Sequence, residues 1–288
     1  MHRYVLHNRE IRDSRDKLLS PGQVGFLNGW GVFTTLRVTS GVLFAFERHY
    51  ARMRHDAKLL RIPFALSEEE LLRALLSLVE ANSASDAVLR MAIVRNRGGL
   101  FEAPGMESEC DLVAFTASLT KWGASAHLTY VPNARFGASP FAGCKITSWA
   151  QNLTWYEQAH EAGFDEALLL NEDGQISECT SANIFAIQGK EVWTPPLSTS
   201  GCLPGVTRAI LLEEVQLDGI EITERELSPS ELEASDAVFL TSTTRDLLPV
   251  HAIDGASLPV QNVILERLQK TFCERRNAYT SDRYLVRS

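Results

Sequence analysis

Lys145 is a candidate nucleophile in this sequence. It lies between the small residues Gly143-Cys144 and the pair Thr147-Ser148, in a segment with few other charges. Removing an amine from water lowers its pKa, because the charged form is disfavoured, and the neutral amine can then attack a carbonyl carbon. Most lysines are exposed surface residues, so a surface position is the alternative interpretation.

Glu178 is a second candidate for a chemical role, because it interrupts the strand-like run ISECTSANIF. A carboxylate buried in a strand carries a large desolvation cost unless a cation pairs with it. Glu178 therefore needs a specific cationic partner. That partner is either a bound ligand or another side chain in a structural ion pair.

Two further segments could bind an anion. The run LPGVTR places Gly205 immediately before a predicted helix, and the exposed amides at a helix N-terminus favour phosphate. The run TSTT at 241–244 follows a predicted strand and offers hydroxyl groups. Hydroxyls suit an oxyanion, but they equally suit the capping of neighbouring backbone groups.

In the first half of the chain, the pattern predicts strands and helices that would support such groups. Two β-rich runs in 31–46 flank Ser40-Gly41, which is typical of a hairpin, and residues 47–62 have helical spacing. Ser67 with Glu70 forms a capping box that begins a second helix. Two more strands are predicted at 87–96 and 111–119.

In the second half, the polar stretch 121–127 is the predicted linker between an N-terminal domain, 1–120, and a C-terminal domain, 128–288. The pattern there predicts a strand near 127–132, a helix ending near Gly163, and three antiparallel strands within 166–196. A helix is expected after Gly205, then a strand at 236–244 and a final helix at 260–276.

Composition excludes several classes of protein. The chain has 288 residues, 45% of them hydrophobic, with 28 basic and 36 acidic residues, and no basic stripe that would bind nucleic acid. No apolar run approaches the length of a membrane span, and the charged start does not resemble a secretory signal. The five cysteines are dispersed, which argues against disulfides and a metal site. We therefore expect a cytoplasmic enzyme with reduced thiols.

Taken together, these segments resemble the class IV, or fold-type IV, pyridoxal phosphate (PLP) enzymes. The resemblance extends from Asn28 to Gly255, and its most specific parts are Lys145, DEALLLNEDGQISECTSANIF, LPGVTR and FLTSTTRDLLPV. It implies an α+β fold of two domains, a smaller N-terminal α/β domain and a larger C-terminal PLP-binding domain with antiparallel strands and a pseudo-barrel core. It also implies a homodimer.

The resemblance assigns roles to individual residues. Lys145 would hold PLP as a Schiff base and move the proton at the substrate α-carbon, while Glu178 would pair with the pyridine nitrogen. Arg52 corresponds to the family's phosphate-binding arginine, although Arg48 and Arg54 flank it. The remainder of the phosphate site would consist of Val206, Thr207, Ser242 and Thr243.

Departures from the subgroup patterns leave the substrate open. Phe33-Thr34-Thr35 stands where branched-chain enzymes have FEG, and the stretch 94–105 lacks the Arg-x-His pair of D-amino-acid enzymes. We expect Phe33, Thr34 and Arg97 to contact the substrate, with Arg97 as a replacement for that pair. Trp149 and Trp155 are expected to fill the core, and Cys144 and Cys179 to serve as small packing residues.

The predicted reaction is transfer of an amino group between an amino acid and a 2-oxo acid. The alternative is aminodeoxychorismate lyase, which releases pyruvate in 4-aminobenzoate and folate synthesis. FTTLRV and ECTSANIF resemble the lyase, whereas TSTT resembles the D-amino-acid enzymes. The substrate would be a small amino acid or an amino-chorismate. A third interpretation is a PLP-binding protein without catalytic activity.

Overall fold

A tight hairpin, predicted from Ser40-Gly41, is present near the start of the chain. Strand β3 (Gly31–Thr39) pairs antiparallel with β4 (Val42–Leu43). Ser40 and Gly41 both have positive φ, 50° and 75°, the backbone conformation that a two-residue hairpin turn requires. The sequence signal for this turn is confirmed.

The computed structural model describes residues 1–99 and 108–285, with side chains to Arg283, and these residues form two units. The first unit comprises Met1–Thr120, Cys144–Trp149 and Arg276–Ser288. The second comprises Lys121–Gly143 and Ala150–Arg275. The chain therefore returns to the first unit twice, and the first return carries Lys145.

The first unit contains a six-stranded antiparallel sheet, in the order β2-β1-β6-β5-β3-β4. Its remaining strands are β1 (Tyr4–His7), β2 (Glu10–Asp13), β5 (Ala87–Arg95) and β6 (Cys110–Ala117). Alternate residues of β5, from Ala87 to Ile93, are buried in the core, as the two-residue period of a strand requires.

Helices α1 (Val24–Asn28), α2 (Phe46–Leu59) and α3 (Glu68–Ala81) also belong to this unit. The predicted capping box begins α3, because the Ser67 side chain accepts from the Glu70 amide and the Glu70 side chain accepts from the Ser67 amide. Leu71, Leu75 and Leu78, at helical spacing, are fully buried against the sheet.

The second unit contains a nine-stranded sheet in the order β12-β11-β10-β13-β14-β7-β8-β9, with β15 paired to β14. Its strands are β7 (Ala126–Val131), β8 (Glu166–Leu170), β9 (Ile176–Cys179), β10 (Asn183–Gln188), β11 (Glu191–Thr194), β12 (Glu221–Glu224), β13 (Ala237–Ser242), β14 (Asp246–Ile253) and β15 (Ala256–Ser257). Its helices are α4 (Ala150–Glu161), α5 (Leu197–Ser200), α6 (Val206–Glu213), α7 (Pro229–Glu233) and α8 (Val263–Leu285), whose last turns belong to the first unit.

Two details of this sheet differ from the sequence prediction. The stretch 166–194 forms four short strands rather than three, because the chain turns sharply between Cys179 and Asn183. The sheet also contains parallel pairs, β7 with β8, β7 with β14 and β11 with β12. Parallel pairing joins segments distant in sequence, so local periodicity gives no signal for it.

The second unit has its own core, formed by the inner face of the curved sheet. Leu168, Cys179, Ile184, Leu240 and Val250 come from five of its strands and are all fully buried in one apolar cluster. The Cys179 amide donates to the Ala182 carbonyl at 2.8 Å, so the end of β9 lies beside the start of β10. This core supports Glu178, which is adjacent to Cys179.

Candidate active site

The segment that carries Lys145 is fixed along the edge of β3. The Phe33 amide donates to the Lys145 carbonyl at 2.9 Å, and the Thr147 amide donates to the Gly31 carbonyl at 2.9 Å. The Lys145 amide donates to Oδ2 of the buried Asp56 at 3.1 Å. Three hydrogen bonds therefore hold the backbone on both sides of the lysine.

The Lys145 side chain is half-buried and lies beside two aromatic rings. Its Nζ is 4.6 Å from the centre of the Phe33 ring and 5.9 Å from that of Trp149. The two rings contact each other edge to face, with centres 5.7 Å apart. Phe33, a predicted substrate residue, is thus next to Lys145, and Trp149 is half-buried here instead of filling the core.

Arg90, which the sequence analysis missed, contacts the same rings. Its guanidinium carbon is 3.9 Å from the Phe33 ring centre and 5.7 Å from the Trp149 ring centre. Burial lowers the pKa of Arg90 from its usual value. No carboxylate among the described residues forms an ion pair with it, so its positive charge faces the aromatic pair.

Arg52, on α2, turns toward β3. Its Nη2 donates to Thr34 Oγ1 at 2.9 Å, and the same oxygen lies 2.8 Å from Nδ1 of His49. Arg54, by contrast, is exposed and donates to the Phe64 carbonyl. Thr34, predicted to contact substrate, is fully buried and hydrogen-bonded within this group.

His49 is neutral in this setting. Its side chain is buried, and burial lowers its pKa well below the usual value, with the positive charges of Arg52 and Lys145 acting in the same direction. The H-x-x-R spacing of His49 and Arg52 is a sequence signal that could have revealed the pair, since residues three apart share a helix face.

Arg97, the third predicted substrate residue, is exposed, and its carbonyl accepts a hydrogen bond from Arg95 Nε at 2.6 Å. The predicted substrate-binding stretch 94–105 lies partly outside the described residues, from position 100 onward.

In the second unit, Glu178 has two partners for its buried carboxylate. Arg135 Nε lies 3.2 Å from Oε1, and the Leu203 amide donates to Oε2 at 3.0 Å. Arg135 also donates to Asn152 Oδ1 at 3.3 Å. The cation that the sequence required is therefore present as a protein side chain, 43 residues earlier in the chain.

The loop between Leu203 and Gly205 connects Glu178 to the start of α6. Gly205 is the N-cap of this helix, and no side chain caps the amides of Val206 and Thr207. A Cβ added at Gly205 would stand 2.0 Å from Asn183 Oδ1, so only glycine fits this position without displacement. The start of α6 offers backbone donors and the positive end of the helix dipole.

The hydroxyl-rich turn after β13 lies beside the same loop. Asn183 is the register partner of Thr241, and its Nδ2 donates to the Leu203 carbonyl at 2.8 Å. Ser242 Oγ accepts from the Arg245 amide at 3.1 Å, so it does cap the turn, but its hydroxyl can still donate. Asn183 thus places Ser242, half-buried like Thr243, near the N-terminus of α6.

A buried ion pair holds this turn. Arg245 donates to Glu166 Oε2 at 2.9 Å, with side-chain exposures of 3% and 1%. Glu166 also accepts from the hydroxyls of Thr180 and Ser181, and the Arg245 guanidinium stacks 3.9 Å above the Trp122 ring centre. The sequence analysis did not identify this network.

These groups match the chemistry of pyridoxal phosphate. A primary amine beside aromatic rings suits its aldehyde, a buried carboxylate suits its ring nitrogen, and uncapped helix amides with hydroxyls suit a phosphate dianion. The glycine at position 205, required by the packing against Asn183, keeps the helix start free of a side chain. The residues present therefore fit the cofactor.

Other reactive groups nearby have no such role. Burial raises the pKa of the Cys144 thiol to about 11, with the charge of Asp56 adding to the effect, and burial raises that of Cys179 well above its usual value. Both thiols are therefore protonated at neutral pH. The described residues contain no cluster of histidine, cysteine and acidic side chains that could hold a metal ion.

Comparison with known proteins identifies the family. The sequence pattern named Amino-transferase class IV matches residues 31–253. A branched-chain-amino-acid aminotransferase of Salmonella typhimurium is 28% identical over 295 residues, covering 98% of this chain and 95% of the relative. A D-alanine aminotransferase of Bacillus licheniformis is also 28% identical, over 256 residues, covering 88% and 89%.

A solved structure shares the fold. The crystal structure of the Escherichia coli branched-chain amino acid aminotransferase superposes with a TM-score of 0.87 at 24% identity, over 96% of this chain and 95% of that one. The predicted fold-type IV architecture is thereby confirmed. The chain belongs to the class IV aminotransferase family and is a pyridoxal-phosphate-dependent enzyme.

Proposed function

We propose that this enzyme transfers an amino group between an amino acid and a 2-oxo acid, with Lys145 as the covalent anchor of the cofactor. The observation that carries the proposal is the setting of Lys145. Its backbone is held by Phe33, Asp56 and Gly31, and its amine faces two aromatic rings. A fixed backbone with a half-buried amine beside apolar rings is an arrangement that suits a nucleophilic lysine.

When bound, pyridoxal phosphate supplies an aldehyde that takes up the amino group and a ring that withdraws electrons from the substrate α-carbon. Lys145 would hold the cofactor and would move the proton at the substrate α-carbon. Glu178 would pair with the ring nitrogen. Arg135, 3.2 Å from Glu178, holds that carboxylate in place.

The phosphate would be held by one guanidinium, two backbone amides and two hydroxyl groups. We assign it to Arg52, to the amides of Val206 and Thr207, and to Ser242 and Thr243. The dianion then meets a guanidinium and a helix N-terminus, both of which favour negative charge.

We further propose Arg90 as the cation that binds a substrate carboxylate. Arg97 remains a second candidate, but it is exposed, whereas Arg90 is half-buried on the ring that Lys145 also contacts. A desolvated guanidinium without an acidic partner among the described residues binds a carboxylate with two parallel hydrogen bonds.

The lyase remains the second candidate, on the basis of Phe33-Thr34-Thr35. Both reactions begin with amine exchange at Lys145 and proton removal from the α-carbon, and they differ in what leaves. The two aminotransferase relatives match at the same identity, although one is named for branched-chain amino acids and the other for D-alanine. Overall sequence identity therefore does not indicate whether the substrate is an L- or a D-amino acid.

The test combines spectroscopy with a substrate panel. Purified enzyme is titrated with L- and D-amino acids, and with aminodeoxychorismate without an acceptor, while the cofactor spectrum and released pyruvate are followed. Conversion of the cofactor to its amine form by amino acids alone supports transamination. Pyruvate released from aminodeoxychorismate identifies the lyase, and an unchanged spectrum with every donor indicates a PLP-binding protein without catalytic activity.

Two variants test the residue roles. Lys145→Ala should leave no borohydride-reducible cofactor adduct anywhere in the protein, whereas Lys190→Ala, which removes an exposed lysine, should behave as wild type. An adduct retained by Lys145→Ala contradicts the assignment. Glu178→Gln should bind cofactor but slow proton abstraction by at least about a hundredfold. Normal turnover in Glu178→Gln contradicts its role, and the exposed Glu172→Gln serves as the control.

We also propose that the enzyme acts in the cytoplasm as a homodimer. The five cysteines are dispersed along the chain without a CxxC pair, which suits a reducing compartment. Among the described residues, no helix combines the length and apolar character needed to cross a membrane. Sedimentation at low micromolar concentration tests the dimer, and a single species of 32.0 kDa would contradict it.

A further inference from the structure

We propose that Thr34 and His49 are positioning residues that orient the Arg52 guanidinium toward the cofactor phosphate. The inference rests on the proposed function, since it concerns the arginine assigned to the phosphate. It gives Thr34 a role different from the substrate contact that the sequence suggested. It also gives a role to His49, a buried histidine that no step of the proposed reaction uses.

The hydrogen bonds within the group have one consistent direction. A guanidinium only donates, so at 2.9 Å Arg52 Nη2 gives its proton to Thr34 Oγ1. The Thr34 hydroxyl is then free to donate to Nδ1 of a neutral His49, 2.8 Å away. In that arrangement His49 carries its proton on Nε2, and the Thr34 hydroxyl both accepts a hydrogen bond from Arg52 and donates one to His49.

The group is fully buried at one end and half-buried at the other. Thr34 is 0% exposed and His49 is 1% exposed, so β3 and α2 fix both side chains, whereas Arg52 is only half-buried. Arginine loses rotamer freedom when it is immobilised. A guanidinium already held by Thr34 loses less on meeting an anion, so the buried pair increases phosphate affinity without touching phosphate.

The competing explanation is that Thr34 and His49 merely satisfy each other in the core. Under that explanation, removing the Thr34 hydroxyl destabilises the protein and weakens all ligands alike. Under the positioning role, it weakens only ligands that carry a phosphate. Pyridoxal has the aldehyde and ring of the cofactor but no phosphate, so the ratio of the two affinities separates the explanations.

The experiment measures the dissociation constants of pyridoxal phosphate and of pyridoxal for the apoenzyme, by the absorbance of the lysine-bound form. Wild type is compared with Thr34→Val, which keeps the shape and removes the hydroxyl, and Thr34→Ser, which restores it. We expect Thr34→Val to lose about tenfold in preference for the phosphorylated ligand, the effect of about one hydrogen bond. Pyridoxal affinity should stay unchanged, and Thr34→Ser should recover the preference.

The same strand offers a matched control. Thr39 also lies on β3, and its buried hydroxyl has no hydrogen-bond partner among the described residues. Thr39→Val therefore makes the same chemical change without removing a contact to Arg52. It should leave both affinities as in wild type. His49→Asn, which keeps a polar group near the Nδ1 position, should retain more of the preference than His49→Leu.

Each outcome separates this inference from the function. Equal loss for both ligands in Thr34→Val, or an unchanged preference, overturns the positioning role while the attachment to Lys145 stands. A wild type that binds pyridoxal as tightly as pyridoxal phosphate overturns it as well, because Arg52 would then have no phosphate to meet. Failure of wild type to attach either aldehyde at Lys145 refutes the proposed function and the inference together.

Discussion

The buried pair Glu166–Arg245 allows a quantitative prediction about what holds the second unit together. Arg245→Met removes the guanidinium from a carboxylate whose side chain is 1% exposed. Breaking a buried ion pair from one side costs about 3–5 kcal/mol, because the remaining charge loses its partner without gaining water. The hydroxyls of Thr180 and Ser181 still donate to Glu166, so we expect a value near the lower end, about 3 kcal/mol.

A double-mutant cycle isolates the interaction. Glu166→Leu alone leaves Arg245 as the unpaired charge, with only its contacts to Ser181 and the Trp122 ring. The double variant has no buried charge at all, and apolar replacements of buried pairs are often close to neutral. Since each single change is expected to cost about 3 kcal/mol, we expect the double variant to be more stable than the sum of the two predicts, by about 6 kcal/mol.

The assay is urea unfolding of the apoenzyme, followed by tryptophan fluorescence and circular dichroism. Coincident transitions are required before free energies are compared, since the chain has two units. The exposed Arg3, which pairs with Asp13 at the surface, supplies the control, and Arg3→Met should leave the unfolding midpoint nearly unchanged. Additivity of the two buried changes within about 0.5 kcal/mol would refute the reasoning.

Two further predictions concern the cofactor site and a thiol. Gly205→Ala should weaken pyridoxal phosphate binding by about tenfold or more, because the new Cβ would stand 2.0 Å from Asn183 Oδ1 and displace the start of α6. Gly255→Ala is the control, since open space surrounds Gly255, and it should have no effect. Equal behaviour of the two variants would contradict the packing argument. Alkylation of Cys144 in the native enzyme should be slow at neutral pH, because only the thiolate reacts and the pKa of this thiol is about 11. The alkylation rate should rise about tenfold per pH unit toward that pKa. A rate at pH 8 equal to that of the urea-unfolded protein would show that the thiol is not protected.

Local sequence signals predicted the elements that depend on a few adjacent residues. The hairpin at Ser40-Gly41, the capping box at Ser67 and Glu70, and the helix that follows Gly205 are confirmed. In each case, the residues that carry the sequence signal lie within a few positions of the turn or helix start that they predict. The family resemblance, confirmed over residues 31–253, supplied what periodicity could not, namely the cofactor and the fold.

Contacts between distant segments were not predictable in the same way. Arg135 reaches Glu178 across 43 residues and Arg245 reaches Glu166 across 79. Such pairs depend on which strands become neighbours. The sequence showed that Glu178 required a cation, because burial demanded one, but nothing near position 135 identified that cation. The roles assigned to Lys145 and Glu178 stay predictions until the variants are measured.

The attachment of residues 144–149 to the edge of β3 has a consequence for protein engineering. Cutting the gene at the apparent boundary after Thr120 would yield a C-terminal fragment that contains Lys145 but lacks Gly31, Phe33 and Asp56, whose groups fix its segment. A chimera between this enzyme and a relative must therefore transplant that six-residue segment together with the N-terminal portion. Recombination that ignores this linkage would pair Lys145 with a strand edge from a different protein.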